Sequence, residues 1–135
     1  MTDNPATWET PSPAAAHMGV LLNEWREGEA VFVCDLEAHH MNRHGIPHGG
    51  LYSFMIDCAM GYCGAYTGDR QTRQMTLTLS MSINFLSRPK GTRLIATGRR
   101  TGGGAKTYFA EAHLVDETGE LIATGQGTFR LRSGA

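Results

Sequence analysis

Neither sign of charge is in excess. Twelve Lys and Arg stand against thirteen Asp and Glu, a formal net charge of −1 over 135 residues. Nonspecific nucleic-acid binding needs a basic surplus to neutralise phosphates and is disfavoured. Cysteine is sparse: Cys34, Cys58 and Cys63 cannot all pair within one chain, and none forms a CxxC. A disulfide framework and a zinc ribbon both fit poorly, and a reducing, cytoplasmic setting is expected. The opening MTDNPATWETPSP has no basic segment leading into an apolar one, so no secretory signal is visible. Internal repeats and coiled-coil heptads are absent. What remains is the length of one domain, with 41% hydrophobic and 19% charged residues, the composition of a folded globular chain.

The near-neutral total hides a lopsided distribution. No acid lies between Asp69 and Glu111, a window holding eight of the twelve basic residues: Arg70, Arg73, Arg88, Lys90, Arg93, Arg99, Arg100 and Lys106. Two readings stay open: a docking surface for a small polyanion, or the solvated outer faces of strands.

Residues 1–13, with prolines at 5, 11 and 13, read as a flexible leader, and 14–132 as a single domain. Ser12-Pro13 is a helix start and Gly19 its stop. Residues 20–26 and 30–38 flank Glu27-Gly28-Glu29 as a hairpin, and 39–48 read as a loop around Gly45 and Pro47. Gly49 to Tyr66 is apolar around its whole circumference apart from Asp57, which fits a central buried helix better than a membrane span. Thr76 to Phe85 alternates strictly, with Leu77, Leu79, Met81, Ile83 and Phe85 on one face, so a strand with one buried face is expected. Strands at 92–100, 106–116 and 121–131 follow, joined by hairpin-length turns. In the last, Leu121, Ala123, Gly125, Gly127 and Phe129 share a face whose small members would let the helix approach. The fold class is α+β: about six antiparallel strands with one long helix against the sheet.

Asp57 is the first chemical candidate. A lone carboxylate on an apolar helix costs several kcal/mol to bury unless paired. It either has a structural partner, such as the hydroxyl of Thr78 or Ser80, or points into a cleft as general base or nucleophile. His48-Gly49-Gly50 is the second. It opens the helix, where backbone N–H groups lack partners and the helix dipole favours an oxyanion; the alternative is a tight turn into a crowded helix. Gly49 and Asp57 are eight residues apart, roughly 12 Å along a helix, so they can serve one carbonyl only if a second copy runs antiparallel across a two-fold axis. His40, His44 and His48 have helical spacing, but Gly45 and Pro47 break any helix and no metal site is expected. Cys58 and Cys63 read as core. Ser53 lacks a GxSxG context, and Gly102–Gly104 is no phosphate loop because no Gly-Lys follows.

Asn42-Arg43-His44-Gly45-Ile46-Pro47-His48-Gly49-Gly50, with Asp57 seven positions on, resembles the N-R-x-G-x-x-H-G-G-x6-D signature of hotdog-fold acyl-CoA thioesterases of the PaaI-like, phenylacetate-pathway type. The likeness continues through Ile83-Asn84-Phe85-Leu86-Ser87-Arg88-Pro89, one residue longer than the commonest L-R-P ending, and through Gly119 to Gly127. It covers about residues 14–131. The resemblance implies a long helix wrapped by a curved antiparallel sheet and hydrolysis of an acyl-CoA thioester without a metal or prosthetic group. It assigns Asp57 as the catalytic carboxylate and the Gly49 N–H as holder of the thioester oxygen. Asn42 and Thr78 would position substrate or water, and His48 would be a supporting hydrogen-bonder. It also implies that Asp and Thr come from one subunit and Asn, His and Gly from its partner, in a homodimer and commonly a homotetramer. Gly50, Arg88, Lys90, Arg99, Arg100 and Lys106 are the expected contacts to coenzyme A. Alternatives are a hotdog enoyl-CoA hydratase or dehydratase and a non-catalytic acyl-CoA-binding module. Leu51, Phe54, Met55 and Met81 are open between core and acyl pocket.

Overall fold

Local chemistry sets the first elements. Ser12 accepts the Ala15 N–H through its hydroxyl at 3.1 Å, Pro13 occupies the first helical position, and Gly19 closes the helix in the left-handed region at φ 70°. In the computed structural model, which describes residues 3–132, the order is α1 (Pro13–Met18), β1 (Leu21–Arg26), β2 (Glu29–Asp35), α2 (Gly49–Cys63), β3 (Met75–Phe85), β4 (Arg93–Gly103), β5 (Thr107–Asp116) and β6 (Leu121–Arg132). The described strands form one antiparallel sheet in the order β1-β2-β4-β5-β6-β3. The loop before α2 carries a short 3₁₀ turn at Ala38–His40 and an isolated bridge between Met41 and Pro47. Among the described residues no helix is long and apolar enough to cross a membrane.

α2 supplies the centre of the core. Leu51, Tyr52, Met55, Ile56, Ala59, Met60 and Cys63 are buried against the sheet. The contact is close because two strand glycines permit it. A Cβ on Gly98 would lie 2.3 Å from the Ala59 carbonyl oxygen, and one on Gly125 2.7 Å from Ile56 Cγ2. The opposite stripe, Ser53, Phe54, Asp57, Cys58, Gly61 and Tyr62, stays only half-buried. This 3.6-residue periodicity was hidden in a segment that reads as apolar throughout.

The helix stops at Cys63, three residues before the expected end, because the sheet takes its last carbonyls. Tyr108 donates its hydroxyl to Met60 O at 2.8 Å and Gly61 O at 2.9 Å, Thr76 Oγ1 donates to Gly61 O at 3.0 Å, and Trp25 Nε1 donates to Tyr62 O at 2.8 Å. A buried helix end leaves orphan carbonyls, and three side chains from three strands satisfy these.

Three expectations need correction. Residues 5–12 are not a loose leader. They form a 3₁₀ turn at Pro5–Thr7 and a strap over the domain, with Trp8 stacked on Tyr66 at 5.8 Å between ring centres and Glu9 accepting the Tyr62 hydroxyl at 3.0 Å. β3 has no simple buried face. It is an edge strand, and Leu77, Leu79, Met81 and Phe85 are all exposed in the single chain. A bulge at Leu79 also breaks its alternation: Thr78 pairs with Phe129 but Ser80 with Thr128. Thr76 and Thr78 therefore face α2 on one side of the bulge, and Ile83 and Phe85 on the other. In β6 a second irregularity between Leu121 and Ala123 leaves Leu121 exposed while Ile122 and Ala123 are both buried.

Tyr108→Phe keeps the ring and deletes the donor to both helix carbonyls. Urea denaturation should show it destabilised by about 1–3 kcal/mol. A midpoint equal to wild type would mean that water replaces the hydroxyl.

Candidate active site

His48 precedes α2 with extended backbone, and its Nδ1 accepts the Gly50 N–H at 2.8 Å, an N-cap made by an imidazole. The Leu51 N–H goes to the His48 carbonyl at 2.9 Å. Gly49 N–H donates to no group among the described residues. It points from a helix start that carries partial positive charge, next to the ring of Phe85, whose Cε1 would be 3.3 Å from a Cβ at position 49.

Asn42 is fixed four residues upstream of Ile46. Its Oδ1 accepts the N–H of His44 at 2.8 Å and of Ile46 at 3.2 Å, which leaves its amide NH₂ as the unused end. The histidines do not form a ligand set. His40 is buried, with Nε2 on Met18 O at 2.6 Å and Nδ1 accepting the Glu37 N–H at 2.9 Å, while His48 is committed to its cap.

The carboxylate lies at the other end of this system. Thr78 Oγ1 donates to Asp57 Oδ1 at 2.6 Å, and Asp57 Oδ2 has no hydrogen-bond partner among the described residues. Thr78 reaches it because the Leu79 bulge keeps Thr76 and Thr78 on the helix side. Cys58, the next residue, is no competing nucleophile: burial and the nearby Asp57 push its thiol up to about 12.

The structure thus brings Asp57 and Thr78 together at the middle of α2, and places Asn42, His48, Gly49 and Gly50 in and just before its first turn. Within one chain the two groups stay apart, roughly 12 Å along the helix. The expected coenzyme contacts also divide. Arg88 and Lys90 border a concavity of about 410 Å³ together with Gly45, Ile46 and Pro47 of the loop feeding α2. Arg99, Arg100 and Lys106 lie toward the far end of β4 and its turn. There Arg99 is paired with Glu111, and Arg100 sits 5.6 Å above the Tyr108 ring.

One supporting residue escaped the sequence reading. Asp116 is 1% exposed and accepts the backbone N–H groups of Lys90 and Gly91, both at 2.7 Å, as well as the Thr118 hydroxyl at 2.6 Å. It fixes the loop that presents Arg88 and Lys90. Its signal was the Asp-Glu-Thr-Gly run, where only the turn was read.

Comparison with known proteins fits this geometry. The family description "Thioesterase superfamily" matches residues 44–123. This chain belongs to the thioesterase superfamily. It has the hotdog fold in its PaaI-like form. A Pseudomonas aeruginosa protein named "Putative esterase PA0474" is 30% identical over 105 residues, covering 76% of this chain and 75% of its own. A conserved Pseudomonas aeruginosa protein of known structure superposes with a TM-score of 0.84 at 25% identity, over 95% of this chain and 100% of its own. The E. coli PaaI protein of the phenylacetic acid degradation operon gives 0.79 at 22% identity, over 92% and 87%.

The Thr118 hydroxyl, and then the amides of Gly91, Lys90 and Glu120, hold the Asp116 carboxyl well below the usual carboxylate range despite its burial. A depressed folded value stabilises above the ordinary carboxylate range and is lost as pH falls through it. Asp116→Asn should therefore be less stable than wild type at neutral pH, and the gap should narrow on acidification below about pH 4. Denaturation midpoints at pH 7 and pH 3 check this; a gap independent of pH would remove the charge from the account.

Proposed function

We propose that the protein hydrolyses an acyl-CoA thioester to the free carboxylic acid and coenzyme A, in a site built by two copies. The observation that carries this is the half-buried Asp57 carboxylate, with one oxygen held by Thr78 and the other free, on the open stripe of an otherwise apolar helix.

β3 supports the two-copy arrangement. It runs antiparallel to α2, so Thr78 lies beside Asp57 and Phe85 beside Gly49. A second β3 pairing antiparallel about Ser82, with Leu79 as the extra residue of the bulge, sets Thr78 of one copy opposite the partner's Phe85. Asp57 then faces the partner's Gly49. The same pairing covers Leu77, Leu79, Met81 and Phe85, which are 43%, 56%, 37% and 57% exposed in the single chain, and satisfies the open backbone edge.

In this reading the thioester oxygen accepts the partner's Gly49 N–H, which polarises the carbonyl. Asp57 either removes a proton from water as the oxygen attacks, or attacks directly to give an anhydride that water opens. Collapse of the tetrahedral intermediate breaks the C–S bond, and the thiolate leaves and is protonated. The Asn42 NH₂ orients substrate or water, Thr78 holds the carboxylate, and Arg88 and Lys90 meet the coenzyme phosphates.

Asp57→Ala should lower turnover by about 10²–10⁴-fold while the fold survives. A thiol-release assay over a panel of acyl-CoAs checks it, and unchanged kinetics would take Asp57 out of the mechanism. Hydration of an enoyl-CoA without thiol release would favour the hydratase reading instead.

Gly49→Pro removes the proposed oxyanion donor at a first helical position that accepts proline, after an already extended His48, with only the Phe85 ring having to shift slightly. It should cost about 10²–10³-fold in kcat. Co-assembling it with Asp57→Ala should restore roughly a quarter of wild-type activity, because half the dimers are mixed and each holds one intact site in two. A mixture as inactive as its parents would place both groups in one chain.

A further inference from the structure

Resting on the thioesterase reading, we propose that the acyl group lies in a groove between the second half of α2 and the start of β3, with Gly61 as its gate and the N-terminal strap as its end wall. The groove has a volume of about 440 Å³ and is bordered by Gly61, Tyr62, Thr76 and Arg73, with Glu9 of the strap at its end. Its walls adjoin the catalytic pair on both elements. Gly61 is one helical turn after Asp57 on the same stripe, and Thr76 is two residues before Thr78 on the same strand face. The Thr76 hydroxyl, 3.0 Å from Gly61 O, ties the two walls together at the base. For an acyl carbonyl held at Asp57 and Thr78, the groove begins one helical turn further along α2.

Gly61 controls that space. A Cβ there would meet Thr76 Oγ1 at 3.6 Å and the Phe129 ring at 3.9 Å, ordinary contacts, so a methyl is accommodated and a longer side chain enters the groove. The backbone does not demand glycine, since Gly61 is absent from the positive-φ positions. Packing tolerates a side chain at this position; an open groove does not.

The far end is closed by one hydrogen bond. Glu9 accepts the Tyr62 hydroxyl at 3.0 Å, and these two residues also border a second cavity of about 340 Å³ beneath the strap, lined largely by apolar groups including Ala6, Leu22 and Phe32. Glu9 and Tyr62 are thus a shared wall between this groove and a neighbouring apolar space. The wall sets the longest acyl group accepted, and removing it lengthens the pocket rather than destroying it.

The test compares kcat/KM over straight-chain acyl-CoAs from acetyl to dodecanoyl for wild type, Gly61→Ala, Gly61→Leu and Glu9→Ala. For Gly61→Leu, the ratio of the best substrate of six or more carbons to acetyl-CoA should fall by at least about tenfold, with Gly61→Ala intermediate. For Glu9→Ala, the preferred chain length should move up by two or more carbons. Gly61→Ala, whose methyl has room, guards against misfolding of the leucine variant. Ratios unchanged from wild type, or activity lowered equally on every chain length, would overturn the groove assignment while leaving the thioesterase reading intact. Wild-type protein that releases no thiol from any acyl-CoA would overturn both.

Discussion

Asp57 and the Gly49 amide ride on one continuous helix, and no side-chain rotation closes a gap of roughly 12 Å along a rigid rod. In the proposed reading this constraint makes the second copy part of the chemistry rather than an accessory. β3 lies antiparallel to the rod, with Thr78 reaching the acid and the Phe85 ring reaching the amide. A pairing that suits the strand therefore suits the helix too. The driving force and the chemistry are separate in kind: apolar side chains along an open edge favour association, and the polar groups are carried into register by it.

The rod is held in place by groups that leave one stripe alone. His48 caps its start, Tyr108, Thr76 and Trp25 take its last carbonyls, and Gly98 and Gly125 let the sheet close on its inner face. A carboxylate on the inner stripe, at Ile56 for instance, would lose its hydration with no partner and cost several kcal/mol. One residue further on, water reaches it and a single threonine orients it. The position of Asp57 is where this helix tolerates a charge.

Much of this was legible in the sequence. The order of elements follows from period-two strands, turn glycines and one all-apolar helix, and Asp57 stands out because nothing else in that helix is charged. The misses share a cause. Leu77, Leu79 and Met81 alternate without interruption in the letters, yet the strand bulges at Leu79. The bond from Thr76 to Gly61 O is a long-range contact that no local pattern encodes, whereas the lone charge of Asp57 already points to the Thr78 hydroxyl as a partner. A proline-rich opening reads as loose for the same reason. Trp8 and Glu9 find their partners, Tyr66 and Tyr62, more than fifty residues away. The apolar residues of β3 looked like core because alternation alone does not tell an edge strand from a central one.

The acid-free stretch holds three kinds of positive charge. Arg99 is paired with Glu111 at the surface, both more than half exposed, and solvent screens such a pair, so a phosphate could exchange for the glutamate at little cost. Arg100 lies over Tyr108 and bonds its own turn carbonyls, and leaving that arrangement uncovers the ring that closes the helix. Arg88 and Lys90 differ from both. Asp116 has already fixed the backbone beneath them, and the exposed Lys90 ammonium keeps one ion-pair partner, the half-buried Glu120 at 3.1 Å. A binding loop ordered in advance loses less entropy when its ligand arrives. For a phosphorylated coenzyme, the loop beside Gly45–Pro47 is therefore the better anchor, and it stands next to the helix start where the thioester oxygen is proposed to lie.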